Sequence, residues 1–470
     1  MTKAFIFAEQ YAIIKLTIIV NRRKRKSGVW RKETVLNKAI ARLESISIYN
    51  FKNVVAGTLK LENPRAGCRA NILGLYGQNG SGKTAVINAI ELLRLTLCGK
   101  RIPAKFADFI NINSDHAQLT YRFQVKSADQ IYCAVYEFCL RSDNERRIIL
   151  SDETLSCSLE SNDTKRRVKR VIDTTAQNIF APKTQYNRLV QSSKTLKIDM
   201  LVAKKLAATE ARSFVFSKEL LDVIRAVNEN DKESQTTRFI VESLVYFGNF
   251  EMFVSNEASP EALVVDNLTI PLNAASTYPE EELKRIERAV QRINIVLTQI
   301  FPGLTIGIRE IGKTLLENGK IGIQIQPISC RNGREIALMC ESKGIKKIIS
   351  LLGPLVDVYN RESFIAAIDD IDADVFEYLL GEILRVVSKN GKGRLIFTAH
   401  DLRPLETLDR NCIAFTTTNP NNRYIHATNA QNNDNFRDFY YRDIILGEQS
   451  EAVYDSANNY EIALAFKEAV

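Results

Sequence analysis

The chain has 470 residues, 45% hydrophobic and 25% charged, the balance of a soluble globular protein of one large domain or two to three ordinary ones. That excludes a disordered, collagenous or filamentous coiled-coil architecture, and 21 Gly with 11 Pro are too few for a low-complexity chain. The formal net charge is +9, but residues 1–40 hold ten Lys/Arg against two Glu; +8 therefore lies in an N-terminal extension and the body is near neutral, weak support for nucleic-acid binding by the core.

Within the extension, Phe5–Val20 is apolar but interrupted by Glu9, Gln10 and Lys15, and its basic cluster Arg22–Lys26 follows it. The stretch is too short and too charged for a membrane span, and a signal peptide would place its basic residues before the apolar run. Eight cysteines without a C-x-x-C pair, and three histidines, give no zinc pattern. Scattered thiols fit a reducing cytoplasm.

From Arg42 the pattern tightens. Glu44–Phe51 alternates as a half-buried strand, with a second strand closing at Lys60–Leu61. Asn71–Tyr76 reads as a short central strand, followed by a glycine loop and a helix carrying Val86, Ile90, Leu93 and Leu97 on one face, with Gly99 as its stop. Strands are predicted over Gln118–Val125, Ile131–Leu140 and Arg147–Leu159, then a poorly patterned excursion over 160–195. Helices follow over 198–228 and 234–245, a strand at Ser243–Val254, a helix at Pro279–Ile300, and strands at Thr305–Ile311, Lys320–Ile328 and Glu335–Cys340. Ile345–Tyr359 is helical but carries Gly353–Pro354, which should kink or split it. Phe364–Ile368 is an apolar strand, Asp374–Val387 a helix, and Arg394–Thr398 a strand running into His400. The tail predicts strands at Cys412–Thr417 and Asn422–His426 and a helix at Glu461–Ala469.

Gly77-Gln78-Asn79-Gly80-Ser81-Gly82-Lys83-Thr84 matches G-x-x-x-x-G-K-[ST] between a predicted strand and a predicted helix. Glycines let backbone N–H groups close around phosphates, and the helix N-terminus favours anions. In such a loop Lys83 neutralises the terminal phosphates and the Thr84 hydroxyl ligates Mg²⁺. Phe364–Ile368 delivers Asp369 and Asp370 to the end of an apolar strand, where α/β sheets bind ligands, and Asp369 would hold the metal. Ser342 and Gly344 stand between a strand and a helix, an anion site and equally an ordinary N-cap. His400 ends its strand in a position to donate a hydrogen bond to a terminal phosphate. Asp372 suits either a helix cap or a carboxylate reaching across an interface.

From Lys83 to Asp369 is 286 residues, too far for a compact core, so an insertion separates the motifs. It lacks heptads and predicts a globular lobe. The expected organisation is a basic extension (1–41), the first part of the core (42–125), an inserted α+β lobe (126–330), the second part of the core (331–430) and a tail (431–470).

The series GQNGSGKT, ESKGIKK, FIAAIDDID and LIFTAHD, opened by ISIYNFKN, resembles the ABC-class, SMC/RecF-like ATPases of the AAA-labelled bacterial abortive-infection and OLD-type defence group. The resemblance covers about Arg42 to Asp409. It implies an α/β P-loop NTPase fold of the ABC-ATPase head type, a mixed sheet with a large inserted lobe. It implies ATP and Mg²⁺ as cofactors and a head-to-tail homodimer, or a higher oligomer built on it. Each nucleotide would sit between Lys83 of one subunit and Ser342 of the other. Asp370 would position the attacking water, although the family has a longer Glu there, and slow turnover is the consequence. No Gln stands between Arg101 and Asp115, where the family places one; Asn111 and Asn113 are the amides there. About seventy residues follow His400, too few for the Toprim nuclease domain of OLD-type proteins, so the resemblance implies a separate nuclease or toxin as effector. The expected function is an ATP-switched sensor or regulator in antiphage defence, with no membrane partner. The alternatives are an ATP-gated nucleic-acid clamp of RecF type and a scaffold that binds ATP without efficient cleavage.

Overall fold

The computed structural model describes residues 39–469 apart from 62–71, 144, 160–167, 176–178, 191–193, 227–231, 257–260, 266–267, 318, 427–436, 439, 442–450 and 456–457. The basic cluster of the extension and residues 431–436, 439, 442–450, 456–457 and 470 of the predicted tail lie outside the described residues.

β1 (Ile40–Phe51) and β2 (Val54–Lys60) form a hairpin closed by Lys52 and Asn53. β3 (Ile72–Tyr76) leads through the glycine loop into α1 (Lys83–Leu97). β4 (His116–Lys126), β5 (Ile131–Ser142), β6 (Ile148–Leu159) and β7 (Lys169–Asp173) follow. They extend the first hairpin into an antiparallel sheet of order β2-β1-β4-β5-β6-β7. The expected boundary at 125/126 therefore falls at the β4–β5 turn. β5, β6 and β7 of the expected 126–330 lobe complete a sheet begun by β1, because strand partners are chosen across the sequence and not along it.

Four helices come next: α2 (Lys183–Val190), α3 (Lys194–Thr209), α4 (Lys218–Arg225) and α5 (Lys232–Phe250). The predicted strand Ser243–Val254 is mostly the end of α5; only β8 (Met252–Ser255) is extended. β9 (Ala262–Val265) and β10 (Leu268–Pro271) pair as a hairpin. β11 (Ser276–Pro279), α6 (Leu283–Ile300), β12 (Leu304–Leu315), β13 (Ile321–Arg331) and β14 (Arg334–Ala337) build a third sheet around β13. α7 (Lys343–Asn360) passes through Pro354 unsplit. Gly353 lies so close to the Val264 carbonyl of β9 that a Cβ there would meet it at 2.1 Å, and this packing overrides the local preference. β15 (Ile365–Ile368), α8 (Glu377–Asn390), β16 (Arg394–Thr398), α9 (Arg403–Thr407), β17 (Ile413–Thr416), β18 (Tyr424–His426) and α10 (Asn459–Glu468) complete the described chain.

The sheet that positions the site has the order β18-β17-β3-β16-β15-β8. All neighbours are parallel except β18 on β17. Its four inner strands, β17, β3, β16 and β15, are buried on both faces, and period-2 alternation divides their residues between two cores. Leu73, Leu75, Ala367 and Ile396 face α1 and, beyond it, Ile46, Ile48, Tyr121 and Phe123 of the antiparallel sheet. Ile72, Ala366, Ile368 and Phe397 face Ile348 and Leu352 of α7 and Leu380 and Leu384 of α8. α1 is enclosed between the sheets, with Val86, Ile90, Leu93 and Leu97 fully buried, each contributing about 1.5–3 kcal/mol of apolar burial. The Tyr121 hydroxyl donates to the Ala89 carbonyl at 2.7 Å, fixing the helix against β4.

Candidate active site

The glycine loop leaves β3 at Tyr76 and enters α1 at Lys83. Asn79 and Gly80 form its exposed tip, while Gly77, Ser81, Gly82 and Lys83 are buried. Gly77 has φ +151, and a Cβ there would meet the Thr416 hydroxyl at 2.1 Å. Ser81 donates to the Gln78 carbonyl at 2.6 Å and shares a short hydrogen bond with Thr416 of β17. Tyr424 of β18 donates to the Gly82 carbonyl at 3.0 Å. The loop is thus braced from the neighbouring strands before a ligand arrives. The Lys83 ammonium donates to the Gly77 and Gln78 carbonyls at 2.8 and 3.2 Å. Burial lowers its pKa, and Asp370, Asp369 and Asp372 oppose that shift.

β15 lies two strands from β3, with β16 between them. This order brings Thr84 Oγ1 to 3.4 Å from Asp369 Oδ1 across 285 residues of sequence. The same carboxylate oxygen accepts the Thr398 hydroxyl from β16 at 2.6 Å. Asp370 sits in the left-handed region at φ 43, its N–H donating to Thr398 Oγ1 at 2.8 Å. His400 Nε2 stands 3.7 Å from Asp370 Oδ1. The fold therefore brings Lys83, Thr84, Asp369, Asp370 and His400 together. A hydroxyl and a carboxylate this close are the hard oxygen donors Mg²⁺ uses, completing its shell with water and phosphate, so the residues fit that ion.

Asp372 is not the cap of the helix that follows. It is buried, and its Oδ2 accepts the backbone N–H groups of His400 and Asp401 at 2.7 and 2.6 Å; α8 starts only at Glu377. Burial, then Asp372 and Glu377, raise the pKa of the neighbouring Asp401.

Ser342 is exposed and caps α7, accepting the Ile345 N–H at 3.3 Å. Gly344 packs against the loop after Asp370: a Cβ there would stand 2.5 Å from the Asp374 carbonyl. Ser342 and Gly344 thus join the site at one remove, through that loop. One turn into α7, Lys347 lines a cavity of about 770 Å³ together with Asp369, Asp370 and Asp374. Burial lowers its pKa against the pull of Asp370, Asp372 and Asp374.

Asn111 is structural: its amide donates to the Lys52 carbonyl at 2.8 Å and fixes the β1–β2 turn, and its Oδ1 accepts the Asn113 N–H at 3.0 Å. The amide beside the carboxylate strand is instead Asn256, directly after β8, donating to Glu91 of α1 at 2.9 Å. Sequence reasoning missed Asn256, Thr398, Thr416, Tyr424 and Lys347. No motif signals a single hydroxyl or amide; only strand order reveals them. Among the described residues no helix is long and apolar enough to cross a membrane.

No protein-family model and no curated sequence matches the chain. Among solved structures, the Pyrococcus furiosus Smc head domain bound to the C-terminal domain of ScpA matches at 12% identity and TM-score 0.40, over 83% of this chain and 97% of that one. The SMC head domain from Thermotoga maritima matches at 13% identity and TM-score 0.34, covering 82% and 99%. The recombination mediator RecF with ATP matches at 12% identity and TM-score 0.35, covering 77% and 94%.

Proposed function

We propose that this chain is an ABC-type ATPase that binds ATP with Mg²⁺ and hydrolyses it slowly, nucleotide binding closing a two-fold dimer. The observation that carries the reading is the approach of Thr84 to Asp369 at 3.4 Å, which joins the phosphate loop to the acidic strand end. Lys83 and the loop N–H groups hold the phosphates, Thr84 and Asp369 hold the metal, Asp370 orients water and His400 senses the terminal phosphate. Bound Mg²⁺ supplies charge neutralisation at the phosphates. Ser342, exposed at a helix N-terminus, completes the partner's site. The motif resemblance extends the proposal to a sensor or regulator of antiphage defence that acts on a separate effector. The same switch would serve an ATP-gated nucleic-acid clamp, a second reading against which the near-neutral charge of the chain after residue 40 counts.

Equilibrium ATP binding and phosphate release by the full chain and its Lys83→Ala variant test the site. Loss of binding in the variant is expected; identical behaviour of the two proteins overturns the reading. DNA-stimulated turnover with a steep salt dependence would select the clamp.

A further inference from the structure

The cavity beside Lys347 reaches the acidic strand end from the side away from the phosphate loop. Asp369 and Asp370 line it, and none of residues 77–84 does. One wall is β8, the edge strand of the nucleotide sheet. The other is one face of α7, marked by Lys347, Ser350 and Pro354 at helical spacing. Arg94 of α1 and Lys100 just beyond that helix line it as well. α1 starts at the loop, so these two cations stand roughly 20 Å from it. The cavity therefore leads from the two carboxylates to a positively charged end.

Most of its acidic groups are already engaged. Asp357 is held by Arg361 at 3.5 Å and Arg292 at 3.9 Å, and Glu261 by Lys346 at 3.3 Å. Asp369 accepts the Thr398 and Thr84 hydroxyls. The cations are not engaged in this way: among the described residues, Lys347, Arg94 and Lys100 form no side-chain hydrogen bond or ion pair. Lys347 is half-buried. An ammonium withdrawn from water without a bonded partner bears a desolvation cost that an arriving anion offsets.

The hydrolysis proposed above, on which this inference rests, generates such an anion at the mouth of the cavity. Asp370 orients the attacking water, so the water oxygen bonds to the terminal phosphorus from the Asp370 side. The bridging oxygen leaves with its electron pair on ADP, and a water proton passes by way of Asp370 to solvent. Inorganic phosphate thus forms against Asp370 while ADP stays on the loop. Lys347, in the field of Asp370 and Asp374, is the cation that lets a phosphate pass those carboxylates.

We propose that the cavity between β8 and α7 is a binding site for inorganic phosphate, which Lys347 receives after cleavage while ADP remains bound. Equilibrium dialysis of radiolabelled phosphate against the full chain saturated with ADP–Mg²⁺ tests it on wild type, Lys347→Met and Lys347→Arg, with ATP binding measured alongside. Wild type should bind phosphate together with ADP. Lys347→Met should bind it about tenfold or more weakly, the loss of one charge-assisted contact, and Lys347→Arg should restore it. A wild type that binds ATP but takes up no phosphate beside ADP overturns the site, as does a Lys347→Met variant with undiminished phosphate affinity. Equal losses of ATP and phosphate affinity in Lys347→Met overturn it too, since Lys347 then belongs to the nucleotide site itself. A wild type that fails to bind ATP removes the parent reading instead.

Discussion

Thr398 donates its hydroxyl hydrogen to Oδ1 of Asp369 at 2.6 Å, from one parallel strand to the next. The same hydroxyl oxygen receives the Asp370 N–H at 2.8 Å, so one side chain orients both carboxylates at the strand end. Outer partners of this kind usually change metal affinity or activity by about 10–100-fold when removed. Thr398→Val keeps the β-branched shape the strand favours and removes only the hydroxyl. Phosphate release should fall by about tenfold or more, with half-saturation shifted to higher Mg²⁺. An unchanged Mg²⁺ titration would show that Thr398 does not orient the metal ligand.

Asp370 is held at φ 43 with its carboxylate toward His400. A non-glycine residue there costs on the order of 1–3 kcal/mol and is retained where the surroundings impose it. The side chain is short for a water-positioning base, and reach limits proton transfer. Asp370→Glu should therefore raise turnover several-fold, and Asp370→Asn should lower it by about a hundredfold with ATP binding preserved. Single-turnover hydrolysis separates the effects; a Glu variant no faster than wild type removes reach as the limitation.

Two loop glycines of the same motif should respond differently. Gly77→Ala drives a methyl into Thr416, whose hydroxyl and carbonyl lie 2.1 and 2.7 Å from the new carbon. It should dislocate the loop, abolish ATP binding and lower the melting temperature. Gly80, at φ +78, has nothing within 4 Å of its added carbon. Gly80→Ala carries only the left-handed backbone penalty, about 1–2 kcal/mol, and should retain ATP binding with a modest loss of affinity. Isothermal titration of both variants checks the contrast; equal losses would show that backbone conformation, not the Thr416 contact, makes Gly77 necessary.

The nucleotide sheet was legible because its strands are short, apolar and followed by chemistry: 72–76 by the glycine loop, 365–368 by two Asp, 394–398 by Ala399 and His400. Each signal is local, and each names its own strand. The antiparallel sheet was legible strand by strand but not as a sheet, since nothing within residues 116–126 announces pairing onto residues 40–49. The end of α5 was misread because Leu244, Val245, Tyr246, Phe247 and Phe250 suit a strand as well as a buried helix. The two braces of the phosphate loop, Thr416 and Tyr424, come from strands more than 330 residues along the chain, and only the fold brings them there. The bonds of Asp372 to the His400 and Asp401 N–H groups were not legible, because its partners are backbone groups on another strand's end.

Glu153 of β6 is a carboxylate outside the site, 3% exposed. Its Oε1 accepts the hydroxyls of Tyr136 and Ser213 at 2.7 and 2.5 Å, and its Oε2 accepts the Phe214 N–H at 2.8 Å. It thereby ties the antiparallel sheet to the segment entering α4. Burial raises its pKa, although these hydrogen bonds pull the other way. A carboxyl whose folded pKa lies above its unfolded value contributes stability in full below the unfolded pKa, and that contribution is lost as pH rises through the folded pKa. Glu153→Gln cannot titrate, so the stability of wild type relative to this variant should be greatest in acid and decline toward neutral pH. Tyr136 and Ser213 can reverse their hydroxyls to accept the new amide, so the Gln variant should remain folded. Glu153→Ala strands three buried donors and should be less stable than Glu153→Gln by about 2–4 kcal/mol at every pH. Urea unfolding of the three proteins between acid and neutral pH checks both the slope and the offset; a wild-type curve parallel to that of Glu153→Gln would show that the carboxyl does not titrate between the folded and unfolded states as its burial requires.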